Sequence, residues 1–458
     1  MSSTNYTITM AARLVVATLI LGLLSVPLWA QQPPATQVPQ ALSLQGAAEY
    51  ALQHNPELLG MQQELAMAQA NERIARAANR FQASANGYAS TATHQNMVLG
   101  APEVMPDDMR MIDPGQNLAV DARITKSLTS GGRLGAAIAQ KQQLAAASEA
   151  DVEATRLMVY YQTRAMYRMA LLNMKMVEVS TKELEARQEM LRVDEEKLNV
   201  GKIPLYYYLR DKTTLAQAQQ NLVNAQRDLQ NSLYQLSTML GLDRPQELCL
   251  TDVMSFIPIE FSPDQALQCA AAKRPELAAA RARIEAAAAQ ISVARAAYKP
   301  QLAATVVFDW MTGRDMDSSG GYTAAVVGSL PLIDAGSRAA EVAMAKAQQQ
   351  QATQRERQLA QQVAKEVLTA IANLKAADQN IRTSLEAQAA AEEDYRAAKL
   401  RYDVGKAINL EPLDALASLV QARVNAAQAL YQYNNAVDDL QRAQGQFAAP
   451  EAPASTPL

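Results

Sequence analysis

Glu411 and Asp414 stand three residues apart, so on a helix their two carboxylates share one face. On the residues alone two readings stand. Acids at the start of a helix are favoured by the positive end of its dipole. Acids repeated around a narrow, water-filled aperture would instead raise the local potential for cations. Other chemistry is sparse. His54 and His94 are the two histidines, and neither has the spacing of a ligand set or a triad. Gly131-Gly132-Arg133-Leu134-Gly135 lies where phosphate loops lie, between a strand and a helix, but lacks the dinucleotide and Walker spacings and reads as a tight corner. His94-Gln95-Asn96-Met97 is followed by Met105, Met109 and Met111. Thioethers suit Cu(I), yet a variable extracellular loop that contains Met is the plainer reading. Cys249 and Cys269 are either a disulfide of an oxidising compartment or two free buried thiols. No nucleophile, acid–base pair or metal cluster stands out, so no enzyme activity, metal or cofactor is expected.

The composition describes the elements that must carry these residues. Ala and Gln are abundant and only 5% of residues are aromatic, which suits long helices packed through small side chains. A net charge of -4 leaves no basic footprint, so nucleic acid is not an expected partner. Arg13, the apolar run Leu14 to Leu24 and Leu28-Trp29-Ala30 read as a signal peptide over 1–30, because the run is short of the roughly 20 residues of a membrane span. No Cys follows the cleavage site, so no lipoprotein signal is read there, and 31–41 reads as a disordered Pro/Gln leader. No later apolar stretch is long enough to span as a helix. The mature chain is therefore soluble outside the cytoplasm or crosses a membrane as a β-barrel.

The chain is also written twice. Ala75-Arg76-Ala77-Ala78 recurs as Ala294-Arg295-Ala296-Ala297, Pro56-Glu57-Leu58 as Pro275-Glu276-Leu277, and Val200-Gly201-Lys202 as Val404-Gly405-Lys406. Each half reads helix, strand, strand, very long helix, helix. The first repeat covers 42–242, with a helix over 43–79, strands at about 81–93 and 117–128, and a helical hairpin over 133–240. A linker follows over 243–261. The second repeat covers 262–446, with a helix over 262–298, strands at about 300–311 and 321–332, and a hairpin over 337–444; a disordered tail, 447–458, closes the chain. Leu118, Val120, Ala122 and Ile124 alternate with Ala119, Asp121, Arg123 and Thr125, so one strand face is apolar and the other polar, the pattern of a membrane strand. Trp310 stands where an aromatic girdle would sit. Four strands close no barrel, and open edges are not tolerated in lipid. Several chains must then each contribute four strands, and the Ala-rich helices suit a wall of helices. The expected product is a tube.

The duplicated halves, the junctions Thr129-Ser130-Gly131-Gly132-Arg133 and Ile333-Asp334-Ala335-Gly336-Ser337, and the Val-Gly-Lys tips resemble the TolC-type outer membrane efflux proteins over about Leu42 to Phe447. The resemblance implies a mixed fold of membrane β-barrel and α-helical barrel, a homotrimer with a twelve-stranded barrel in outer-membrane lipid of a Gram-negative bacterium, and a twelve-helix periplasmic tunnel. It also implies a periplasmic adaptor and an inner-membrane pump as partners. Glu411 and Asp414 match the acids that ring the periplasmic constriction, and Tyr402 matches the closing tyrosine. In the repeat, Tyr207 stands opposite Glu411 and Arg210 opposite Asp414, so Arg210 and Asp414 are expected to alternate around the constriction as ion pairs. Val200, Gly201 and Lys202, with Val404, Gly405 and Lys406, match the tips that engage an adaptor. The function expected is a passive exit duct of a tripartite export system, without an ATP site of its own. The alternative is a soluble periplasmic coiled-coil adaptor or scaffold, which should carry one hairpin where this chain has two.

Overall fold

The computed structural model describes residues 41–92, 96–98, 110–112, 115–242, 248–313 and 316–448. The expected signal peptide, the expected leader up to residue 40, His94, Met105 and Met109, and most of the C-terminal tail lie outside these described residues, while Ala41, the last residue of that leader, begins a short strand, Ala41–Leu42. Two compact units divide the chain, Met1–Ala41 and Leu42–Leu458, and the helices and strands that follow lie in the second.

The first half runs α1 (Leu44–His54), α2 (Pro56–Ala77), β1 (Gln82–Ala92), β2 (Gly115–Thr129), α3 (Arg133–Asn199) and α4 (Leu205–Met239). The second runs α5 (Pro263–Lys273), α6 (Pro275–Ala296), β3 (Gln301–Gly313), β4 (Met316–Ser329), α7 (Ser337–Asp403) and α8 (Leu410–Ala443). Each leading helix, expected to be continuous, is broken once. Asn55 and Arg274 precede prolines, whose rings push the preceding residue out of the helical region, and their ψ angles are 124° and 118°. At the first break the Asn55 side chain caps the new helix, accepting from the amides of Glu57 at 2.9 Å and Leu58 at 3.3 Å. The last strand ends at Ser329, short of the expected 332, because Pro331 cannot donate to a ladder.

Helices α3 and α7 are each 67 residues long, or roughly 100 Å at the α-helical rise. Such a length leaves no single compact core. Apolar contacts instead gather midway along each hairpin. In the first half Val159, Tyr167 and Leu171 of α3 meet Leu233 and Leu236 of α4 and Ala47 and Ala51 of α1. In the second, Val367, Ile371 and Leu374 of α7 meet Tyr433 and Leu440 of α8 and Ala270 and Leu277 of α5 and α6. Tyrosines tie the extended connections down: Tyr167 donates to the Leu42 carbonyl and Tyr433 to that of Ile257, both at 2.8 Å. Cys249 is exposed rather than buried, Cys269 is half-buried, and both are free thiols.

The two halves join in one antiparallel sheet, ordered β1-β2-β3-β4, in which β2 of the first half pairs with β3 of the second. Its apolar face carries Val120, Ile124, Phe308, Tyr322 and Val326, all exposed. The glycine corner of the sequence is conformational: Gly131 and Gly132 have φ angles of 63° and 90°, and a Cβ on Gly131 would lie 2.6 Å from that of Lys299.

Helices α3 and α8, from different halves, are pinned by a buried charge cluster. Asp438 accepts from Arg164 Nε at 2.7 Å and from Nη2 at 3.1 Å, and from Arg168, whose Nη1 also reaches the Asn434 carbonyl at 3.1 Å. The three side chains are at most 9% exposed. Removing the one acid strands two buried guanidinium groups, a loss on the order of 3–5 kcal/mol. Asp438→Asn is therefore expected to lower the thermal unfolding midpoint by several degrees, and circular dichroism melting measures it.

Candidate functional site at the helical tips

Both hairpins turn in the same way. After α3 and α7, the amides of Lys202 and Lys406 bond back to the carbonyls of Lys197 and Arg401 at 2.8 Å, and Gly201 and Gly405 adopt φ angles of 70° and 73°. This is a Schellman-type stop, and the left-handed residue it needs explains the glycine in each Val-Gly-Lys. Val200, Gly201 and Lys202 are exposed, as are Val404, Gly405 and Lys406.

Beneath the turns a buried polar network joins all four helices of the two hairpins. Asp194 of α3 is fully buried and accepts from the Tyr402 hydroxyl at the end of α7 and from Nδ2 of Asn409, the residue before α8. The same Asn409 nitrogen reaches Asp211 of α4 at 3.0 Å. Met190, Leu413 and Leu416 form an apolar layer in the same tip. Desolvation first, and then the adjoining Asp194, push the Asp211 carboxyl up to about 7, while Asn409 and Arg187 oppose the rise. Burial and Asp194 likewise push the Tyr402 phenol further up, so that it remains a donor. The Lys197 ammonium lies 3.3 Å from the Tyr402 ring centroid, and burial lowers its pKa.

The residues expected to form the constriction divide into two groups. Tyr402 belongs to the buried network. Glu411 is half-buried and pairs with Arg401 at 3.5 Å. Arg210 and Asp414 are exposed, and within the chain they form no ion pair with each other. Tyr207 stacks on Tyr206, with ring centroids 4.2 Å apart. Asp194, Asp211 and Asn409 escaped the sequence reading. A signal for them exists in the register that sets Val200 opposite Val404: Asp194 faces Ala398, Asp211 faces Ala415, Asn409 faces Leu205 and Tyr402 faces Leu198. Every member of the network is thus polar where the other half is apolar.

Comparison with known proteins follows this geometry. The family described as outer membrane efflux protein matches residues 47–242 and 266–446. No curated protein matches the chain. Among solved structures, the Campylobacter jejuni CmeC outer membrane channel superposes with a TM-score of 0.74 at 20% identity, over 88% of this chain and 85% of that one. The outer membrane protein VceC of Vibrio cholerae gives 0.71 at 22% identity, over 88% and 96%. The open state of the Neisseria gonorrhoeae MtrE outer membrane channel gives 0.72 at 20% identity, over 88% and 89%.

The Asp211 carboxyl sets a pH dependence for the tip. Its pKa in the folded tip lies above the ordinary carboxylate value, so its contribution to tip stability is complete below pH ~4 and is lost as pH rises through about 7. Local hydrogen exchange at the tips should therefore quicken between pH 6 and pH 8, after correction for intrinsic exchange, and Asp211→Asn should flatten that profile. A wild-type profile already flat across this window would refute the raised Asp211 pKa.

Proposed function

The chain belongs to the outer membrane efflux protein family, and on that premise we propose that three copies assemble into one continuous exit duct for a tripartite export system. The protein resides in the outer membrane. The observation that carries the assembly is the sheet. Its four strands leave β1 and β4 with open edges, and its exposed face is apolar. Lipid tolerates a sheet only when its edges are closed, and three chains of four strands supply the twelve of a closed barrel. The hairpins then continue the barrel as a periplasmic helical tunnel. Among the described residues no helix is long and apolar enough to cross a membrane; in this reading the sheet is the spanning element.

The tips are the proposed control point. Glu411 and Asp414 of three chains ring the periplasmic aperture and favour cations there. Arg210 and Tyr207 stand at the matching positions of the first half. Arg210 is free of Asp414 within its own chain, so their ion pair would form between neighbouring copies. Tyr402 acts from beneath, holding α7 to α3 through Asp194. Opening requires that this link be broken or carried as a unit. The exposed turns Val200–Lys202 and Val404–Lys406 offer two like-shaped contacts per chain to a periplasmic adaptor. Energy comes from an inner-membrane pump, for the duct has only passive parts. A soluble periplasmic adaptor is the weaker reading, since it leaves the apolar sheet face without a partner.

Single-channel recording tests the acidic ring. Glu411→Ala/Asp414→Ala is expected to lower the cation-over-anion permeability ratio by about twofold or more; unchanged conductance and selectivity would remove these residues from the gate. Heat-modifiable migration and membrane fractionation test the assembly, and recovery of the protein as a soluble periplasmic monomer would reject it.

A further inference from the structure

Asp121 lies in the middle of β2, yet only 1% of it is exposed. The ladder places it between Asn86 of β1 and Asp309 of β3, each directly opposite. Asn86 Nδ2 donates to Asp121 Oδ2 at 3.0 Å, which commits that oxygen to the β1 side. The second oxygen, Oδ1, is buried without a hydrogen-bond partner. Across the strand stands a half-buried carboxylate, and among the described residues no ion pair neutralises either acid, although Arg123 follows two residues along the same face. Like charges set directly across a ladder repel, and a buried carboxylate oxygen without a partner is costly. The chain nevertheless carries both.

We propose that Asp121 and Asp309 hold a hard divalent cation, Ca2+ or Mg2+, on the polar face of the sheet. The two donors are carboxylate oxygens, which match oxygen-seeking ions rather than soft metals. Two carboxylates with water completing the shell make a site of about millimolar affinity, the range of extracellular calcium modules. The cation removes the repulsion between β2 and β3 and satisfies Asp121 Oδ1. Because β2 belongs to the first half and β3 to the second, the ion also ties the halves together where the sheet joins them. In the duct proposed above, this face lines the passage. The site itself is complete within one chain, so it stands or falls independently of the assembly.

Terbium(III), a luminescent stand-in for Ca2+, tests it on the full protein in detergent, with the indole of Trp310, next to Asp309 in the chain, as sensitiser. The expected result is saturable emission that Ca2+ competes away. Asp309→Asn and Asp121→Asn should each weaken it at least about tenfold, while Asp309→Glu, which keeps the charge, retains it. In the Glu411→Ala/Asp414→Ala background, which removes the acids proposed to attract cations at the tips, Asp309→Asn should weaken the emission by the same factor. Absence of saturable emission in the wild type, or equal emission from Asp121→Asn/Asp309→Asn, would overturn the proposal. Heat-modifiable migration confirms that each variant is folded, and because Asp309→Asn relieves a repulsion it decides the matter even where Asp121→Asn misfolds.

Discussion

Helices this long and this rich in alanine meet through narrow stripes, so apolar burial alone leaves their register weakly determined. Buried carboxylates supply the missing determination. Asp438 clamps α8 to α3 through two arginines midway along the hairpins, and Asp194 clamps α7 and the start of α8 to α3 at the tips. A buried charge tolerates only one arrangement of its partners, because any slip leaves it desolvated and unpaired. Two such anchors, far apart along α3, fix both the axial register and the rotation of the second hairpin against the first. The apolar clusters can then remain small.

This arrangement separates permanence from control. At Asp438 two guanidinium groups face one carboxylate, so the charges are strongly complementary. At the tip the balance is the reverse: two acids share one buried site, and the carboxyl of Asp211 is pushed into the physiological range. The mid-hairpin anchor thus suits a fixed joint. In the proposed duct the tip is the joint that must release, and it lies directly under the exposed turns.

The sheet follows the same logic in a different medium. Its apolar face is exposed and its edges are unpaired within one chain, and in the proposed duct lipid and neighbouring copies would cover them. Its polar face carries an unneutralised acidic pair at the seam between the halves. In both the sheet and the tip, a buried carboxylate sits where the two halves meet.

How much of this is legible in the chain depends on the range of the interaction concerned. Strand alternation, the absence of Pro and, after Gly135, of Gly between Arg133 and Asn199, and the Val-Gly-Lys turns are local, and local spacing suffices to read them. The breaks at Asn55 and Arg274 were also local, since each precedes a proline, but helical periodicity on both sides masked them. The acids Glu411 and Asp414 are visible because the first half has Tyr207 and Arg210 in their place. Asp194, Asp211 and Asn409 differ from their counterparts just as clearly. Asp194, however, sits in a charged stretch of helix, Val193-Asp194-Glu195-Glu196, that reads as solvated surface. Only the packing of four helix ends, two from each half and 198 to 215 residues apart between the halves, turns it inward and gives it partners. The sequence alone determined the repeated elements and their turns; the tertiary structure decided which carboxylates are buried, because burial is a property of what the distant helices bring.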